Sequence, residues 1–235
     1  MSVMSVVRKR IDQAQKGSLI TYEKFSDLKS PSAVALALSR LCKEGMIRRL
    51  QKGKYFKTKK TKFGELDPSD VEILQSLVGK DSYISGVSAY NRLGLTTQVP
   101  NEITIRGSKY SRRTRVGRLQ IRYIRSKVEA NSTVSNLLQL LDAFNNIKYI
   151  PDSDVNTSFM KLSELIRALE YNEKKQLARL ACDYSPSVRA MVGAILDQID
   201  VNLAEKLKNS LNPLTTYKIG LTESPMANLS EWRIQ

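Results

Sequence analysis

The chain has no histidine and only two cysteines among its 235 residues. The first absence removes the commonest general base and zinc ligand. The second excludes a disulfide framework, and Cys42 and Cys182 lie too far apart to share a metal-ligand motif; both read as small buried side chains. No apolar run approaches the length of a membrane span. Arg8, Lys9 and Arg10 follow rather than precede the only apolar residues near the start, which is not the order of a signal peptide. A cytoplasmic protein with no membrane partner is expected. Glycine-rich phosphate loops, a nucleophile elbow and the clustered carboxylates of a nuclease are missing too. Asp152 and Asp154, in PDSDV, have the spacing of a magnesium-holding pair. The phosphate loop that accompanies such a pair needs glycine, and residues 130–150 contain none. Asp154 is therefore read as a helix cap. The expectation is no catalytic residue, no metal and no cofactor.

What the chain has in excess is positive charge, unevenly placed. Residues 1–62 hold 16 Lys and Arg against 4 Asp and Glu, residues 63–130 hold 11 against 7, and residues 131–235 hold 11 against 12. Charge serving solubility alone would be spread more evenly; this distribution has the footprint of a polyanion partner at one end.

That end is organised. Val3, Val7 and Ile11 make a first helical row, and Thr21 is placed to cap a short second helix carrying Phe25 and Leu28. In SPSAVALALSRLCKEG, Ser30 and Pro31 read as cap and first position, and Gly45 as the left-handed stop. Val34, Ala37, Leu38 and Leu41 form the apolar stripe, which leaves Ser32, Leu36, Ser39, Arg40 and Lys43 on the free side. Ile47 to Leu50 and Lys54 to Lys57, separated by Gln51, Lys52 and Gly53, have hairpin spacing. This order predicts a winged helix-turn-helix over 1–62, with the third helix in a major groove and the hairpin along phosphates.

Lys57 to Asp70 reads as a linker leading to a helix capped by Asp67 with Pro68 at its first position, and Val71, Leu74 and Val78 as that helix's stripe. A second helix runs from Val87 through Tyr90 and Leu93 to Gly94. Glu102–Arg106 and Arg118–Arg125 alternate as strands, with a basic loop, SKYSRRTRVG, between them. Arg112, Arg113, Arg115, Arg118 and Arg122 then form either a charge-protected sheet edge or a second surface for nucleic acid or a protein partner. From Ser132 onward the pattern is helical. A tail containing Tyr217, Ile219, Leu221 and Trp232 is too apolar to be free and is expected to dock. The expected class is mainly α with small β elements: a winged helix-turn-helix at 1–62, an α+β middle region at 63–130, and a helical region with docked tail at 131–235.

The segments SPSAVALALSRLCKEGMIRRLQKGKYF, GVSAYNRLGLTTQVPNEITI and LARLACDYSPSVRAMVGAIL, with NPLTTYKIGL, resemble antitoxins of the bacterial abortive-infection E system, a type IV toxin-antitoxin family of phage defence. The resemblance implies a transcription repressor that binds the promoter DNA of its own operon and neutralises a nucleotidyltransferase-like toxin encoded beside it, leaving direct contact with that toxin open. It implies base reading by Ser32, Ala33, Leu36, Ser39 and Arg40, and phosphate holding by Arg48, Arg49, Lys52 and Lys54. A stand-alone winged-helix regulator and a nucleic-acid enzyme are the alternatives from other classes.

Overall fold

The computed structural model describes residues 2–61, 64–66, 68–79, 81–107, 111–126, 128, 130–131, 133–222 and 225–235. The fold is mixed α+β and helix-rich, and its chain divides into two compact units, Met1–Gly79 with Arg115–Leu119, and Lys80–Thr114 with Gln120–Gln235. The boundary expected between Lys62 and Phe63 lies outside the described residues, as do Asp67, Ser108–Tyr110 and Ser132.

In the first unit α1 (Val3–Gln13) is capped by Ser2, whose hydroxyl accepts from the Ser5 amide at 3.2 Å, and buries Val7 and Ile11 one turn apart. The next residues depart from expectation. Leu19–Thr21 is a strand, β1, and Tyr22–Phe25 is a single 3-10 turn to which Thr21 gives no side-chain cap. Backbone pairing of Leu19 with Phe56, Ile20 with Tyr55 and Thr21 with Lys54 holds this segment extended up to the turn. Phe25 is buried as expected.

Helix α2 (Pro31–Lys43) starts at the predicted proline, but Ser30 caps it through backbone only: its carbonyl accepts from Val34 N at 3.1 Å and its hydroxyl makes no cap bond. Val34, Ala37, Leu38 and Leu41 are all at most 3% exposed. Burial of such side chains contributes about 1.5–3 kcal/mol for each of the larger ones. At the other end Met46 N donates to Leu41 O and Gly45 N to Cys42 O, both at 3.1 Å, with Gly45 at φ +71°. This six-to-one closure needs a left-handed residue, which is why a glycine stands there.

The chain then turns into β2 (Ile47–Gln51) and β3 (Lys54–Lys57), the predicted hairpin, in a sheet ordered β1-β3-β2. The register pairs Arg49 with Tyr55 and slips by one residue between Arg49 and Gln51. Lys57 is buried, and its ammonium donates to the carbonyls of Asp12 and Ala14 at 2.8 and 2.7 Å, neutralising the negative end of α1.

The expected linker contains structure: β4 (Lys59–Thr61) and β5 (Gly64–Leu66) pair antiparallel. Helix α3 (Asp70–Leu77) begins with a capping box in which Ser69 accepts from Glu72 N while a Glu72 carboxylate oxygen accepts from Ser69 N. Ile73 and Leu77 are its buried residues, and Val71, expected in the stripe, is 63% exposed. Both sets recur at helical spacing, so periodicity alone could not choose between them.

β6 (Ser82–Ser85), β7 (Glu102–Gly107), β8 (Arg112–Val116) and β9 (Leu119–Arg125) build a sheet ordered β6-β7-β9-β8, in which β7 and β9 run parallel; Arg115, Val116 and Leu119 of it are counted with the first unit and the rest, like α4 (Val87–Arg92), with the second. The predicted basic loop is thus largely an edge strand, β8, and β6 is a strand that periodicity does not show. Helices α5 (Ser135–Asn145), α6 (Val155–Ala168), α7 (Tyr171–Ala181), α8 (Pro186–Asp197) and α9 (Val201–Asn209) follow. Asp154 caps α6 as expected, accepting from Thr157 N at 2.9 Å. The tail docks: Tyr217 and Ile234 form a parallel bridge, and Trp232 is buried with its indole N–H donating to Asp197 Oδ2 at 3.1 Å.

Candidate nucleic-acid interface

Helix α2 carries three stripes of different character. Val34, Ala37, Leu38 and Leu41 face the core. Ser32, Leu36, Arg40 and Lys43 point outward, and Leu36 is 54% exposed although it is a large apolar residue. Between these, Ala35, Ser39 and Cys42 form a flank of small side chains turned toward the hairpin. Such a flank leaves a groove of about 570 Å³, with Arg49, Lys52 and Tyr55 on its far side. The end near the helix start is held by Tyr22, whose hydroxyl donates to the Pro31 carbonyl at 2.9 Å.

The electrostatics of this face follow from where the few carboxylates go. Glu44 is paired with Arg8 at 2.7 Å and Asp27 with Arg10 at 2.5 Å, both arginines belonging to α1. Among the described residues no carboxylate lines the groove, so the charges of Arg49 and Lys52 are not offset within it. The Cys42 thiol lies partly buried in the same groove, and that burial pushes its pKa up, with Arg49 pulling weakly the other way. It is accordingly a poor thiolate.

Of the residues assigned to base reading, Ser32, Leu36, Ser39 and Arg40 are exposed and Ala33 half-buried. Of those assigned to phosphate, Arg48, Arg49 and Lys52 are exposed. Lys54 is turned elsewhere: its ammonium donates to the Ser76 carbonyl at the end of α3, and burial lowers its pKa while Glu23 partly opposes. The five remaining arginines divide between the units. Arg118 pairs with Asp70 at 2.7 Å within the first, which also holds the exposed Arg115. In the second, Arg113 pairs with Glu102 at 3.0 Å, Arg112 stacks 5.2 Å from the Tyr123 ring centroid, and Arg122 is exposed beside Thr104. Ala35, Cys42, Tyr22 and Tyr55 are the groove residues that sequence reasoning missed. Their only sequence signal is the small-residue spacing 35, 39, 42.

A second polar constellation lies inside the second unit. Asp142 of α5 is 0% exposed. Its Oδ2 accepts from Tyr83 at 3.0 Å and Ser85 at 2.5 Å, and its Oδ1 from Arg106 and Tyr184, both at 3.0 Å. Burial, reinforced by the Asp142 charge, raises the pKa of Tyr83 and of Tyr184, and pushes Tyr90 up to about 12. Burial is the largest single influence on Arg106 and lowers its pKa, but the Asp142 charge, Tyr83 and Tyr184 together outweigh it and the net shift is upward. A carboxylate offers roughly four lone-pair sites, and all are taken by protein donors. The cluster therefore ties β6, β7, α5 and the turn after α7 together. A lone aspartate within LLQLLDAF is the trace it leaves in the sequence.

A family model described as a family of unknown function (DUF6088) matches residues 6–177. No curated protein matches the chain. Among solved structures, the crystal structure of the RV2827C protein from Mycobacterium tuberculosis is similar, with a TM-score of 0.53 and 14% identity over 97% of this chain and 89% of that one. At that identity the likeness concerns the fold alone.

Proposed function

We propose that this chain, which belongs to the family of unknown function DUF6088, is a DNA-binding antitoxin that represses its own operon and neutralises a nucleotidyltransferase-like toxin encoded beside it. In this reading α1, the Tyr22–Phe25 turn, α2 and the β2–β3 hairpin act as a winged helix-turn-helix. The observation that carries the DNA part is the outward stripe of α2 standing beside an exposed cationic hairpin, with no carboxylate among the described residues of the groove between them. Arg40 is placed to bond a guanine edge, Ser32 and Ser39 to bond bases or phosphates, and Leu36 to pack on a thymine methyl. Arg48, Arg49 and Lys52 supply phosphate contacts, which position the protein without reading sequence. Lys54, held by Ser76, has no part in them. The antitoxin part is supported by the resemblance of the segments around Gly86–Ile105 and Leu177–Leu196 to antitoxins of the bacterial abortive-infection E system.

Two measurements test the reading. Arg40→Ala should lose about 1–3 kcal/mol on the operon's own promoter and little on a scrambled duplex, while Lys52→Ala should weaken both alike. With about 4–6 phosphate contacts, log affinity should fall against log salt with a slope of about −4 to −5. A flat salt titration removes DNA as the partner. Co-expression with the product of the adjacent gene, scored for growth rescue, tests neutralisation; absence of rescue by a folded, expressed chain defeats it.

A further inference from the structure

We infer that the groove between α2 and the hairpin seats one sugar–phosphate unit of a nucleic-acid strand, so that the strand backbone runs between helix and hairpin. The inference rests on the DNA reading above and adds a contact surface to it. Three features of the groove lead here. Its helix side is built from Ala35, Ser39 and Cys42, which are short enough to let a backbone approach the helix. Its hairpin side carries Arg49 and Lys52, cations with no carboxylate facing them among the described residues, one a planar fork suited to phosphate and the other a compact point charge. Its walls include Tyr22 and the largely buried Tyr55, which give it apolar surface beside the cations. At about 570 Å³ the groove has the size of a small-ligand site, which spans about 300–1,000 Å³, and one nucleotide unit fits within that range. Charge complementarity decides the occupant: a polyanion gains from two uncompensated cations, whereas an apolar peptide segment would bury them unpaired.

The geometry makes Cys42 a reporter, because a strand lying in the groove covers its thiol. The test uses the full-length chain with Cys182→Ser, so that Cys42 is the remaining thiol. Alkylation by N-ethylmaleimide is followed with and without saturating promoter duplex, and again with adenosine monophosphate. Duplex should slow alkylation by about tenfold or more, and the mononucleotide should leave it unchanged. In parallel, Ala35→Leu, at an exposed helical position where leucine is well tolerated, fills the groove. It should weaken promoter and scrambled duplexes equally, by about tenfold, the loss that follows when one charge-assisted phosphate contact goes. A wild-type affinity in Ala35→Leu, or unchanged alkylation under saturating duplex, overturns the groove assignment while leaving the DNA reading intact. A chain that binds neither duplex overturns both. Protection by the mononucleotide without duplex binding overturns the strand and assigns the groove to free nucleotides.

Discussion

Asp142→Ala should destabilise the second unit by about 3–5 kcal/mol, the cost of leaving a buried charge without its partner. The substitution removes the acceptor for four donors at once, and Arg106, whose side chain is only 24% exposed, keeps its charge with nothing to balance it. Asp142→Asn should fall between Ala and wild type, since one amide oxygen still accepts while the added N–H₂ faces donors. Joint replacement of Asp142 and Arg106 by leucine should recover part of the loss, because the pair is then absent rather than broken. The chain has a single tryptophan, Trp232, which lies in this unit, so its emission during denaturant unfolding reports the unit directly. A loss below about 1 kcal/mol for Asp142→Ala would mean that water or rearrangement satisfies the donors, and the cluster would not be the tie described.

The second large effect is at the tail. Gly193 sits inside α8, where an added Cβ would lie 2.1, 2.4 and 2.8 Å from three atoms of the Trp232 indole. Real Cβ atoms do not approach rings that closely, so Gly193→Ala must move the indole or the helix. The expected cost is about 1–3 kcal/mol of overpacking, and the tail should loosen with a red shift of Trp232 emission. Trp232→Ala alone should cost about 3–5 kcal/mol through the cavity it leaves. The two should not add. With the ring gone, Gly193→Ala meets no obstacle and gains the helix preference of alanine, about 1 kcal/mol. Helical circular dichroism during denaturation measures all three variants. If Gly193→Ala destabilises equally with and without the indole, close approach to Trp232 is not the reason a glycine stands there.

Several elements are legible in the sequence because their signals are local. The stripe Val34, Ala37, Leu38, Leu41 is written at helical spacing and is buried as written. Gly45 and Gly53 occupy left-handed positions, at φ +71° and +77°, where the turn and hairpin are expected. Asp154 caps the helix that follows it. Part of the candidate interface is equally plain, since the outward residues of α2 are the complement of its core stripe. Its groove flank is not, because Ala35 and Cys42 look like ordinary helix filling until the hairpin stands opposite.

By itself, then, the sequence determined what depends on one segment at a time: helical and strand periods, turn positions, and a basic excess concentrated in the first 62 residues. Only the tertiary structure decided which of two apolar stripes in α3 is buried, that Thr21 ends a strand and gives the turn after it no side-chain cap, and that Arg112–Val116 is a sheet edge rather than a loop. It also decided that Lys54 and Lys57 are held by backbone carbonyls while Lys52 is exposed, and that Asp142 is a buried hub. The reason is the same each time. Strand pairing, burial of a charge and the aim of a long side chain are settled by partners far away in sequence, whose free energies outweigh the local preferences that periodicity records.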